Sequence, residues 1–204
     1  MTQHSLEYAG FVFRFIGEVR PSRDRTGRPI EYVHDLPHGI QPNLHAAGPF
    51  CHFEVASLPV DSGVYAITAN DELRYIGECR NLSARFGPTG YGSIARRNCH
   101  KDGQSTNCKI NSSILAASKA GAAIALWFHL TRRYKAVESE ILNQLSPPWN
   151  GKKGHIVATD GVSIEKRVAI SRSNSHSTSN AADPFQLALE AKFSAALRTG
   201  HGRH

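Results

Sequence analysis

No apolar run in the 204-residue chain approaches the ~20 residues that a membrane-spanning helix needs. The N-terminus, Met-Thr-Gln-His-Ser-Leu-Glu, lacks a basic start followed by an apolar stretch, so no secretory signal is visible. There are four cysteines, Cys51, Cys79, Cys99 and Cys108, and no Cys-x₂₋₄-Cys pair. A structural zinc site usually shows such pairs. Cys51-His52, Cys79, Cys99-His100 and Cys108 therefore read as reduced, partly buried thiols rather than a zinc cage. Together these absences predict a reduced, cytoplasmic protein with no membrane partner. No internal repeat is present either.

Acidic residues are also scarce. Lys and Arg number 24 against 17 Asp and Glu, a formal net charge of +7. The excess is uneven: five basic against six acidic residues in 1–59, eleven against seven in 60–151, and eight against four in 152–204. A basic surface favours a polyanionic partner, because each neutralised phosphate releases a counterion. The remaining balance, 40% hydrophobic and 20% charged, is that of a globular chain with one sizeable core.

Three regions follow. In residues 1–59, Phe11, Phe13 and Phe15 alternate with Val12, Arg14 and Ile16, the period of a strand. The turn-rich "RPSRDRTGRP" and then "IEYVHDL" suggest a β-ribbon with Arg20, Arg23, Arg25 and Arg28 near its tip. Those arginines are either DNA-phosphate contacts or part of a solvated loop. Residues 60–152 form the compact unit. "GVYAI" and "LRYIG", joined by "TANDE", predict a hairpin. "NLSARF" predicts a short helix capped by Asn81. "KINSSILAASKAG" predicts a second, with Ile110, Ile114 and Leu115 as its stripe. "AIALWFHLT" is a third strand, and "YKAVESEILNQLS" a last helix ended by Pro147 and Pro148. Residues 153–204 form a basic tail, with a polar, disordered linker at 171–184 and a helix-like stretch at 185–199.

The last helix raises a chemical question. At about 100° per residue, Val137, Ile141, Leu142 and Leu145 share one face. Glu138 falls inside that face, and Glu140 points the other way. A carboxylate among apolar neighbours is costly unless paired. A divalent cation or an arginine would pair it; otherwise it reaches water from the edge of the face.

Gly63-Val64-Tyr65 and Tyr75-Ile76-Gly77, with the tyrosines ten residues apart, resemble the paired signature of the GIY-YIG nuclease superfamily. Arg85 lies ten beyond Tyr75, and Glu138 twelve before Asn150 in "VESEILNQLSPPWN", where that family places its arginine, glutamate and asparagine. The resemblance covers residues 61–152. It implies a small α/β (α+β) domain, a central three-stranded antiparallel sheet flanked by helices, and endonuclease activity on DNA. It implies Mg²⁺ or Mn²⁺ on Glu138, with phosphate oxygens and waters completing the sphere. Arg85 would hold the scissile phosphate, since guanidinium matches two phosphate oxygens and stays charged. Tyr65 would orient or deprotonate the attacking water, its pKa lowered by Arg85 and the metal. Tyr75 would support the phosphate or the water network, and Asn150 would brace the Glu138 or Tyr65 region.

One position departs from the pattern. Many relatives carry His or Tyr four residues after the arginine; here it is Thr89. Tyr91 and His100 are the nearby substitutes. Asn111, where some relatives place a histidine, reads as a helix cap. The glycines beside the tyrosines would leave room for a phosphate to approach. A non-catalytic nucleic-acid-binding module and an RNA nuclease remain as alternatives, and monomer and dimer are both open. A restriction-type role is one expectation among several.

Overall fold

The computed structural model describes residues 4–151, all of which fall within one compact unit. The expected linker at 171–184 and helix at 185–199 lie outside the described residues. The architecture is mixed α/β, built on one antiparallel sheet of five strands. In chain order these are β1 (Ser5–Tyr8), β2 (Phe11–Glu18), β5 (Gly63–Ala69), β6 (Glu72–Cys79) and β7 (Ile124–Leu130). They lie in the order β1-β2-β7-β5-β6. Two further short strands, β3 (Arg20–Pro21) and β4 (Phe53–Glu54), pair with each other. The helices are α1 (Leu82–Phe86), α2 (Ser105–Lys119) and α3 (Tyr134–Gln144), with a 3₁₀ turn at Arg96–Cys99.

The three expected strands are present and adjacent, but the sheet is larger than expected. β2 pairs along β7, from Arg14 opposite Phe128 to Glu18 opposite Ala125. Phe13 from β2 is fully buried beside Trp127, Val64 and Ile76. The first strands thus share the core of the tyrosine hairpin. The ribbon expected between "FVFRF" and "IEYVHDL" does not form, because β1 and β7 already occupy both edges of β2. Residues 30–36 run without strand structure, apart from a bridge between Tyr32 and Phe50.

The β5–β6 hairpin turns at Asn70 and Asp71, both with positive φ (51° and 62°). Two left-handed residues are the mark of a type I′ turn, and Asn and Asp tolerate that conformation best among residues with a side chain. Each strand then sends alternate residues to opposite faces. Tyr65 and Ile67 from β5, with Tyr75 and Cys79 from β6, join a core that includes α1 and α2 through Leu82, Phe86, Ile110 and Ile114. Val64, Ala66 and Ile76 join the other core, where α3 docks Val137 and Ile141. β6 is an edge strand, whose open backbone groups invite pairing with another chain. Here the segment after α3 covers it: the Trp149 N–H donates to the Arg74 carbonyl at 2.9 Å. No helix among the described residues is long and apolar enough to cross a membrane.

Candidate active site

Tyr65 and Tyr75 come to one face by the register of their hairpin. Tyr65 stands opposite Gly77, and Tyr75 opposite Ile67. The two tyrosines are therefore diagonal neighbours, with ring centroids 6.0 Å apart. Gly77 makes this arrangement fit. A Cβ there would lie 2.5 Å from the Tyr65 hydroxyl oxygen and 2.7 Å from Cε1 of Tyr75. At Gly63 it would meet the Phe128 ring and the His129 carbonyl. The glycines of the signature thus make room for the protein's own rings and backbone, which corrects the expectation that they clear space for a phosphate.

A third tyrosine completes the cluster. Tyr91 comes from the loop after α1, and its hydroxyl lies 2.8 Å from that of Tyr65. The Phe86 ring stands edge-on to both, at 5.0 and 5.3 Å between centroids. Tyr75 also interacts with the Tyr91 hydroxyl. The loop is held from two sides. The Tyr91 N–H donates to the Arg85 carbonyl at 2.8 Å. Asn111 donates its Nδ2 to the Tyr91 carbonyl, also at 2.8 Å.

Asn111 is not a cap. It is fully buried in the middle of α2, which begins six residues earlier at Ser105. Its Oδ1 accepts from the Cys51 N–H at 2.9 Å, and its Nδ2 also donates to the Cys51 carbonyl at 2.8 Å. One side chain thus joins residue 51, Tyr91 and α2. A signal for this existed: Asn107, Asn111, Ile114, Leu115 and Ser118 follow one helical stripe and are all buried.

Arg85 lies in the last turn of α1, and the expected Asn81 cap is present at the helix start: Asn81 Oδ1 accepts from the Ala84 N–H at 2.8 Å. The Arg85 Cζ sits 5.5 Å from the centroid of the Tyr91 ring, a cation–π distance. The Arg85 side chain opens on a cleft of about 470 Å³, which also includes Thr89, Asn107, Tyr134 and Lys135. Glu138 is half-buried on α3, while Glu140 is exposed, as the helical-face argument requires. Glu138 opens on a second cleft, of about 260 Å³, with Tyr75, Lys109, Leu142, Trp149 and Asn150. Arg85 and Glu138 therefore border different clefts. They meet electrostatically at the phenols, for both charges act on Tyr75 and Tyr91.

Burial pushes the Tyr65 hydroxyl well above its ordinary value, and the neighbouring Tyr91 and Tyr75 reinforce this; Arg85 acts in the opposite direction. Burial likewise raises Tyr75, with Tyr91 and Glu138 adding to the effect. Tyr91 is raised by burial too, against its hydrogen bond with Tyr65 and the charge of Arg85. With the chain's own charges, desolvation outweighs Arg85, and all three phenols are neutral at pH 7. The arginine does not by itself deliver the lowered Tyr65 pKa that was expected.

Asn150 braces the signature itself. Its Oδ1 accepts from the Ile76 N–H at 2.9 Å and its Nδ2 donates to the Ile76 carbonyl at 2.6 Å. The side-chain amide thus pairs like a strand residue with the centre of Tyr75-Ile76-Gly77. It holds the β6 edge rather than Glu138 or Tyr65 directly. His100 lines neither cleft; its ring nitrogen lies 3.1 Å from the Arg97 guanidinium, which pairs with Asp102. Tyr91, and not His100, is the residue that the geometry sets against Tyr65.

The N-terminal arginines stand apart from both clefts. Arg20 pairs with Glu18 at 2.8 Å. Arg23 donates to the Gly27 carbonyl and to Ser118 Oγ. Asp24 accepts from Thr26 and from the Arg28 N–H, shaping the turn that carries Arg25. Residues 22–30 close a short hairpin, with Arg23 bridged to Pro29 and the Asp24 N–H donating to the Arg28 carbonyl at 2.9 Å; Arg25 and Arg28 lie at its tip, Arg23 at the bridge, and Arg20 in β3.

Among the described residues, no three His, Cys, Asp or Glu side chains cluster as a metal cage. All four cysteines are free and buried, and only Cys99 and Cys108 approach each other, at 3.9 Å between sulfurs. The donor set that fits a cation is smaller: one half-buried carboxylate, Glu138, at an open cleft. That suits Mg²⁺ or Mn²⁺, hard ions that keep several waters and take the rest of their ligands from substrate phosphate. No family model, curated protein or solved structure matches the chain.

Proposed function

We propose that this protein is a metal-dependent endonuclease that hydrolyses DNA phosphodiester bonds, of the GIY-YIG type its motifs resemble. The observation that carries the reading is the junction of Tyr65, Tyr75 and Tyr91. There the hydroxyls of two tyrosines meet at 2.8 Å, and the charges of Arg85 and Glu138 act on the same cluster. Packing alone requires neither the hydroxyl contact nor the flanking arginine and glutamate.

Glu138 would hold Mg²⁺ or Mn²⁺. Once bound, that ion would neutralise charge on the phosphate and make a coordinated water a stronger acid. Arg85 would pair with the non-bridging oxygens of the scissile phosphate and stabilise the growing negative charge. Tyr75 is the member of the trio that reaches a cleft, at 8% exposure against 1% for Tyr65 and Tyr91. As a neutral phenol it would donate its proton to a phosphate or water oxygen in a hydrogen bond. Tyr65 and Tyr91 would hold that hydroxyl in place and supply a path for proton redistribution. Asn150 keeps the strand beneath Tyr75 in register.

A second reading, a nucleic-acid-binding module of the same fold without cleavage, draws support from one observation. The Tyr65 and Tyr91 side chains are buried and line neither cleft. Plasmid nicking separates the two. Cleavage by the wild-type protein with Mg²⁺ or Mn²⁺, lost in Glu138→Ala, supports the nuclease. Binding without cleavage across both metals supports the module.

A further inference from the structure

The larger cleft holds two cations that the sequence signature does not use. Arg80 follows β6, and Lys135 is the second residue of α3; both are exposed on the wall that Arg85 also faces. The cleft thus presents three basic side chains against one carboxylate, Glu78. Arg80 is braced: its Nε donates to the Tyr134 hydroxyl at 3.1 Å, and Tyr134 immediately precedes Lys135. That bond orients the guanidinium while using one of its five donors. Neither Arg80 nor Lys135 forms an ion pair with a described residue. By contrast, Arg20, Arg74, Arg97 and Lys119 each pair with a carboxylate. Cations from the residue after β6, from α1 and from α3 converging on one concavity concentrate positive potential there.

We infer that Arg80 and Lys135 form a backbone-phosphate subsite, holding DNA phosphates that flank the one beside Arg85. The identity of the polyanion rests on the nuclease reading; the placement of the cations does not. Contacts of this kind fix position and carry no sequence information. They lie in the cleft, away from the Arg20–Arg28 stretch.

The test is binding, measured apart from cleavage. A short fluorescent DNA duplex is titrated with protein in EDTA over a series of NaCl concentrations, with an RNA duplex of the same sequence as a second arm. Each phosphate contact contributes about 0.9 to the slope of log K against log salt. Arg80→Ala and Lys135→Ala are each expected to lower the slope by about 1, on several unrelated sequences alike. Lys119→Ala, which removes a lysine already paired with Glu31, should leave it unchanged. Both substitutions are at exposed positions, and a thermal melt verifies the fold. Wild-type slopes in both variants would overturn the subsite, as would failure of the wild-type protein to bind duplex DNA. Preference for the RNA duplex would overturn the DNA assignment. If the slopes fall as expected and no metal supports cleavage, the subsite stands and the nuclease reading fails.

Discussion

The hydroxyl oxygens of Tyr65 and Tyr91 lie 2.8 Å apart inside the protein, although the residues are 26 positions apart in sequence. Removing the Tyr91 hydroxyl strands that of Tyr65 in a buried site, which costs about 1–3 kcal/mol, whereas removing the Tyr65 hydroxyl leaves Tyr91 its interaction with Tyr75. Tyr91→Phe is expected to destabilise the protein by that order in urea unfolding, and Tyr65→Phe by less. The double variant should cost less than the sum, because both ends of the bond are gone. Additive losses would mean that the two hydroxyls do not depend on one another. For catalysis, each single variant is expected to reduce plasmid cleavage at least tenfold. Near-normal cleavage by Tyr65→Phe would restrict that residue to packing.

Gly77 is a steric requirement, testable without any substrate. Its missing Cβ would fall 2.5 Å from the Tyr65 oxygen and 2.6 Å from Cζ of the same ring. Overpacking of this kind costs about 1–3 kcal/mol or more. Gly17 is the control, since a Cβ there would meet Val55 at an ordinary 3.4 Å. Gly77→Ala should lower the unfolding midpoint clearly, and Gly17→Ala should barely move it. Equal effects would refute the ring-clearance explanation.

The two glutamates of α3 separate a site residue from a surface one. Glu138→Ala is expected to abolish metal-dependent cleavage, at least a hundredfold, while duplex binding persists. Glu140→Ala, on the exposed side, should cleave normally. The reverse result would overturn the helical-face argument.

That face was legible because it is local: 3.6-residue periodicity alone sets Glu138 beside Ile141 and Leu142. The tyrosine hairpin was legible for the same reason, with two alternating runs around a short turn. What escaped was decided by partners far along the chain. "IEYVHDL" has strand composition, but β1 and β7 had already filled both edges of β2. Asn111 resembled a cap because its neighbours Lys109 and Asn107 are polar, and the helix start at Ser105 lies within a run with no apolar residue to announce it. Tyr91 could be proposed from its glycine-flanked loop, yet only the folded chain sets its hydroxyl against Tyr65. The separation of Arg85 and Glu138 into two clefts had no sequence signal at all.

Alkaline pH should destabilise the fold. Burial pushes the Cys51 thiol from 9.0 up to about 12 and Cys79 up to about 11. Tyr65, Tyr75 and Tyr91 are raised above 10 in the same direction. A raised folded pKa means that the folded state keeps its proton while the unfolded chain loses it. The stabilisation is complete below pH 9 and is lost as pH rises from 9 through 12. Urea midpoints should therefore be level between pH 7 and 8.5 and fall steeply above 9. Cys51→Ala should flatten part of that fall. A midpoint unchanged at pH 10.5 would contradict the burial of these groups.

Asn111 supplies the most stringent test of how the site is built, because it touches no cleft. Its amide satisfies three backbone groups, two on Cys51 and one on Tyr91, and no buried side-chain polar atom among the described residues lacks a partner. Asn111→Leu is close in volume but leaves all three backbone groups unpaired, so a loss of several kcal/mol is expected. Asn111→Asp keeps one acceptor and loses both donor bonds, so its cost should be smaller at low pH, where the acid regains a proton to donate. If Asn111 positions Tyr91, residual cleavage by Asn111→Asp should fall further than its stability loss accounts for. Its duplex binding should match that of the wild-type protein at a temperature where both are folded. Cleavage that simply tracks the folded fraction would reduce Asn111 to a structural residue and break the proposed link from α2, through the Tyr91 loop, to Tyr65.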